Sequence, residues 1–85
     1  MTYYTPQMDQ LSLTDLGNLI KLTLQHALKA RVDGDNNTAI TYLQITAKLY
    51  DLMATIHDSP ELAENSRSLA NRARTLVETI PIKPH

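Results

Sequence analysis

With 85 residues, no Cys, Trp or Phe, and eight Lys plus Arg against nine Asp plus Glu, the chain holds one small domain and no disulfide framework, thiol nucleophile or cysteine metal site. A net charge of −1 runs against a nucleic-acid partner, which calls for a basic excess gathered on one face. No apolar run approaches the roughly 18 residues of a membrane span, and Met1–Gln7 has no basic residue leading an apolar stretch, so a soluble, cytoplasmic protein without membrane insertion is expected.

Residues 1–11 are polar and contain Pro6, the composition of a flexible N-terminal segment. Ser12 followed by Asp15 places a helix cap and a first-turn carboxylate where backbone N–H groups lack partners. The helix they open runs to about Val32, with Leu13, Leu16, Ile20, Leu24, Ala27 and Leu28 as its core stripe and Leu19 and Leu22 outside it. Asp33-Gly34-Asp35-Asn36-Asn37 is a turn: Gly and Asn tolerate positive φ, and Asp or Asn can cap the next helix.

Ala39 to His57 is the most apolar stretch. Stepped at about 100° per residue, its apolar side chains cover about two thirds of the circumference. Ala39, Ile40, Leu43, Ala47, Tyr50 and Ala54 form one flank, and Tyr42, Ile45, Leu49, Leu52, Met53 and Ile56 the other. Thr41, Gln44, Lys48, Asp51 and Thr55 make a narrow polar stripe. A helix of this kind must be covered from two sides, so it is the middle of three. Ser59 and Pro60 begin the third helix, Pro suiting a position whose N–H has no intrahelical partner. Its expected buried face is Leu62, Leu69, Ala73, Leu76, Val77 and Ile80, beside a small-residue side of Ala63, Ser66 and Ala70. Pro81 stops it and leaves 81–85 as an extended tail. The expected fold is all-α: a three-helix, up-down-up antiparallel bundle over residues 12–80.

Nothing in the chain has the spacing of a catalytic site. His26, His57 and His85 include no i, i+4 pair for a metal, and the Asp33–Asn37 turn lacks the alternating oxygen ligands and final Glu of a calcium loop. There is no Ser/His/Asp arrangement, Gly-rich phosphate loop or carboxylate pair in an apolar setting. A non-enzymatic protein with no cofactor, metal or small-molecule substrate is expected. Tyr42 and Tyr50 read as packing residues with their hydroxyl tips reaching solvent or a partner group.

Gly34-Asp35-Asn36-Asn37-Thr38-Ala39-Ile40, followed by Tyr42, Leu43 and Ala47, resembles the start of the second helix of microtubule-interacting and trafficking (MIT) domains. Leu69-Ala70-Asn71-Arg72-Ala73-Arg74-Thr75-Leu76 is similar to that family's closing pattern, with Arg74 where an acidic residue is common. A weaker likeness is to a single tetratricopeptide unit. The MIT resemblance implies a protein-binding adaptor in ESCRT-type membrane remodelling. It takes a partner peptide as a helix between its second and third helices, or as an extended Pro-containing strand between its first and third. On this chain the first groove would be bordered by Ile45, Leu49, Leu52, Ile56, Leu69, Arg72 and Leu76, and the second by Leu19, Leu22, Ala63, Arg67 and Ala70. The alternative is a small self-associating assembly subunit whose excess apolar arc is buried in a homo-oligomer. Ile80-Pro81-Ile82-Lys83-Pro84 itself has the form of an extended ligand for such a groove.

Overall fold

The structure is a computed structural model that describes residues 12–82. The N-terminal segment 1–11 and the tail residues 83–85 lie outside the described residues. Three helices and no strand are present among those described: α1 (Leu13–Asp33), α2 (Asn36–Ile56) and α3 (Pro60–Thr79).

Each helix begins on a side chain that takes up its otherwise unpaired N–H groups. Ser12 Oγ accepts from the Asp15 N–H at 3.1 Å, and the Asp15 carboxylate accepts from the Ser12 N–H at 3.4 Å, a reciprocal capping box. Ser59 Oγ accepts from the Leu62 N–H, with Pro60 in the first turn.

The α1–α2 reversal needs only two residues. Gly34 has φ 82°, the left-handed region open to a residue without Cβ, and its N–H donates to the Arg31 carbonyl. The Asp35 N–H donates to the Ala30 carbonyl at 2.8 Å, closing α1. The Asp35 carboxylate opens α2 by accepting from the Thr38 hydroxyl at 2.6 Å and the Thr38 N–H at 3.2 Å. The Thr38 hydroxyl first, and its N–H second, hold the Asp35 carboxyl below the usual carboxylate range by bonding its charged form.

α2 packs against both neighbours, while α1 and α3 make no close backbone approach to each other. The bundle is therefore a layer with α2 in the middle, up-down-up, with α1 and α3 running in the same direction.

Both seams are built from small side chains: of twelve buried apolar residues, eight are alanines. Ala47 of α2 meets Ala70 and Ala73 of α3, with Tyr50 packed over them and an ion pair between Asp51 and Arg74 beside them. On the α1 side, Ala27 and Ala30 meet Ala39 and Leu43. Thr23 and Thr46 lie buried with their hydroxyl oxygens 2.6 Å apart across the seam.

This packing corrects the expected core. Leu16, Ile20 and Ala27 are buried as expected, but Leu13 and Leu28 of α1 and Leu62, Leu69 and Leu76 of α3 are exposed, Leu28 at 66% and Leu76 at 52%. The reason is steric. Ala63, Ser66, Ala70 and Ala73 form a buried i, i+3, i+7, i+10 stripe, and small side chains along a seam permit close approach of two helices. A leucine would hold the helices apart, so the helix turns its small face inward and its leucines outward.

Ile80, just past α3, is buried against Ala27, Ala30, Ala39 and Leu43. The Pro81 carbonyl accepts from Asn36 Nδ2 at 3.1 Å, and Asn36 Oδ1 accepts from Arg31 at 2.7 Å, tying the start of the tail to the α1–α2 turn.

Candidate docking channel

Because α1 and α3 flank α2 without a close backbone approach to each other, a channel runs between them on one side of the layer. Its deepest part is a cavity of about 200 Å³ with Leu43 of α2 at the floor. Leu24, Ala27 and Leu28 form one wall, Leu76, Thr79 and Ile80 the other, and Arg31 stands at the rim.

Helical phase continues both walls. On α1, Lys21, Leu24, Leu28 and Arg31 fall at i, i+3, i+7 and i+10. On α3, Leu62, Asn65, Leu69, Arg72, Leu76 and Thr79 follow the same rule. None of these ten positions is a carboxylate, and Glu61, four residues before Asn65, is the carboxylate that borders the α3 line. The ion pairs among the described residues, Lys29–Asp33, Glu64–Arg67 and Asp51–Arg74, all involve side chains off these stripes.

The opposite side of the layer is polar. Gln44, Lys48, Arg74 and Glu78 border a groove of about 470 Å³ between α2 and α3, floored by Ala47 and Val77. Between α1 and α2, the His26 ring stacks on Tyr42 with centroids 5.0 Å apart, beside Lys29, Asp33 and Asp35. No group of three or more His, Asp or Glu side chains among the described residues is placed to share a metal ion. No helix among them is long and apolar enough to cross a membrane.

The expected helix-two to helix-three groove is not assembled as one surface. Ile45, Leu49, Leu52 and Ile56 form a single stripe with Tyr42, which meets α1 through His26. α3 meets α2 through Ala47, Tyr50 and Asp51 instead. Ile45 and Leu52 are exposed, and Leu49 and Ile56 half-buried, along the α1 flank of α2. Leu69, Arg72 and Leu76 stay together but on the channel side, because Leu76 shares the cavity with Leu24, Leu28 and Leu43. In the second expected groove, Leu19 and Leu22 precede His26 by seven and four residues and so share its face, away from the channel. Ala63 and Ala70 are buried, and Arg67 pairs with Glu64.

Leu24, Leu28 and Leu43 read from sequence as plain core, and Arg31 carried no assignment. The signal that finds them is the α3 small-residue stripe, which fixes how α3 is rotated and hence which leucines face the channel. No protein-family model, curated protein or solved structure gives a significant match to the chain.

Proposed function

We propose that this protein is a protein-interaction module that docks a partner peptide in the channel between α1 and α3. The observation that carries the reading is the exposure of Leu28, Leu69 and Leu76 along two walls over an apolar floor, a concave surface that no other part of the described residues covers. A groove of this kind takes the apolar face of an amphipathic segment, anchored at positions three, four and seven apart. The MIT resemblance supports the same class of activity, as an adaptor in cytoplasmic ESCRT-type machinery, although it implies an extended Pro-containing strand rather than a helix between the first and third helices.

The test is selection from a displayed peptide library with the whole chain and with Leu76→Asp side by side. Sequences enriched by the wild-type chain and lost with Leu76→Asp support docking at this channel. Identical enrichment by both proteins overturns it.

A second reading, self-assembly, has its own observation: Leu62, Leu69 and Leu76 recur every seven residues, the interval of a coiled-coil seam, and are exposed. Sedimentation equilibrium separates the two. Concentration-dependent association that Leu69→Asp abolishes favours the assembly subunit, and a monomer throughout favours the peptide-docking module.

A further inference from the structure

We infer that the partner is an acidic amphipathic helix whose apolar stripe is short and bears carboxylates at both of its ends; this rests on the docking reading above and adds the chemistry of the occupant. The two walls stand either side of a floor set by Leu43, so the surface is concave in cross-section. Its middle is aliphatic: Leu24 and Leu28 face Leu76 and Ile80.

The charge lies at the ends of that aliphatic segment. Lys21 precedes Leu24 by one turn and Arg31 follows Leu28 by one turn, about 15 Å apart along α1 at about 1.5 Å per residue. Since α1 and α3 run in the same direction and Leu76 shares the cavity with Leu24 and Leu28, Arg72, one turn before Leu76 and beside Thr75, lies on α3 toward the Lys21 end of the channel. One end of the apolar segment thus has a cation on each wall, and the other end has Arg31.

None of the three is neutralised among the described residues. Lys21 and Arg72 have no carboxylate within ion-pair distance there, and Arg31 bonds only the neutral amide oxygen of Asn36. Of the carboxylates among the described residues, Asp15 and Asp35 cap helices, Asp33, Asp51 and Glu64 pair with cations off the channel, and Glu78 borders the opposite groove, while Asp58 and Glu61 lie at the start of α3, about three to four turns before Arg72. A cationic rim around an apolar trough selects a partner of opposite charge and speeds its encounter. It also opposes a second copy docked face to face, which would set Lys21, Arg31 and Arg72 near their own equivalents. A planar anionic membrane matches the charge, but it cannot reach a floor recessed between two walls. The pattern expected of the partner is therefore a carboxylate, two or three aliphatic side chains at helical spacing, and a second carboxylate about ten residues after the first.

Two synthetic helical peptides test this, identical in their Leu stripe and differing only in Glu or Lys at the two flanking positions. Each is titrated with the whole chain by fluorescence anisotropy at low and high salt. The Glu peptide is expected to bind at least about tenfold more tightly than the Lys peptide and to weaken as salt rises. The double variant Lys21→Glu/Arg72→Glu, at two exposed positions and with an unaltered circular-dichroism spectrum required as the control for folding, is expected to invert the preference. Equal binding of both peptides, lost in Leu76→Asp, overturns the acidic partner while the docking channel stands. Binding of neither peptide overturns both readings, and retention on anionic vesicles in that case assigns the face to a membrane surface.

Discussion

The buried Thr23–Thr46 pair gives a prediction whose size follows from counting protons. Thr23 Oγ1 lies 3.0 Å from the Ile20 carbonyl, Thr46 Oγ1 lies 2.8 Å from the Tyr42 carbonyl, and the two hydroxyl oxygens are 2.6 Å apart. Two hydroxyl protons must serve three short contacts. If both pointed at carbonyls, two oxygen lone pairs would face each other across the seam, so one hydroxyl donates to the other and the pair forms a shared bond between α1 and α2. Replacing either residue by Ala removes that bond, worth about 1 kcal/mol net, and a buried methyl worth about 0.8 kcal/mol, offset by about 0.5 kcal/mol of better helix propensity. Each single variant is then expected to lose about 1.3 kcal/mol. Thr23→Ala/Thr46→Ala loses the shared bond only once, so its loss is about 1.6 kcal/mol rather than the additive sum of about 2.6 kcal/mol, a coupling of about 1 kcal/mol. Urea unfolding followed by far-UV circular dichroism resolves this, since a small domain changes by about 1 kcal/mol per molar urea. Additive single and double variants, with coupling below about 0.3 kcal/mol, would refute the shared-bond reasoning.

Other outcomes follow from the same seams and caps. Ala70→Leu, at a fully buried contact with Ala47, is expected to destabilise by about 1–3 kcal/mol through overpacking, whereas Leu76→Ala at a half-exposed site is expected to cost no more than about 1 kcal/mol. The reverse order in thermal unfolding would mean that leucines, not alanines, form the α2–α3 contact. Gly34→Ala is expected to lose about 1 kcal/mol because φ 82° is strained for any residue with a Cβ, even though nothing lies within 4 Å of the added atom. An unchanged melting temperature would argue against the left-handed cap. The Asp35 carboxyl is lowered in the folded state, so its stabilising contribution is complete above the unfolded carboxylate range and is lost as pH falls through the folded value. Asp35→Asn should therefore flatten the acid limb of the melting temperature against pH, and an unaltered acid limb would count against this cap.

Helix number and order were legible because they rest on local chemistry, although α1 runs on through Asp33 and α2 starts at Asn36, both inside the expected Asp33–Asn37 turn. Ser12 with Asp15, Gly34 with Asp35, and Ser59 with Pro60 satisfy or omit backbone N–H groups within a few residues, and no distant contact is needed to read them. The two-sided burial of α2 was legible for a similar reason: no single neighbour covers an apolar arc that wide.

The rotation of each helix about its axis was not legible. α3 carries two competing stripes, Leu62–Leu69–Leu76 and Ala63–Ser66–Ala70–Ala73, and hydrophobicity alone favours the leucines. Only the packed structure weighs the leucine stripe's transfer energy against the close approach that alanines allow along a whole seam, and here the small-residue stripe is the one buried. That choice moves Leu69, Arg72 and Leu76 from the α2–α3 contact to the wall of the α1–α3 channel. The sequence by itself determined three capped helices with the most apolar one central. The tertiary structure decided which apolar side chains remain outside, because the rotation of a helix with two usable faces is set by the distance at which its neighbour packs.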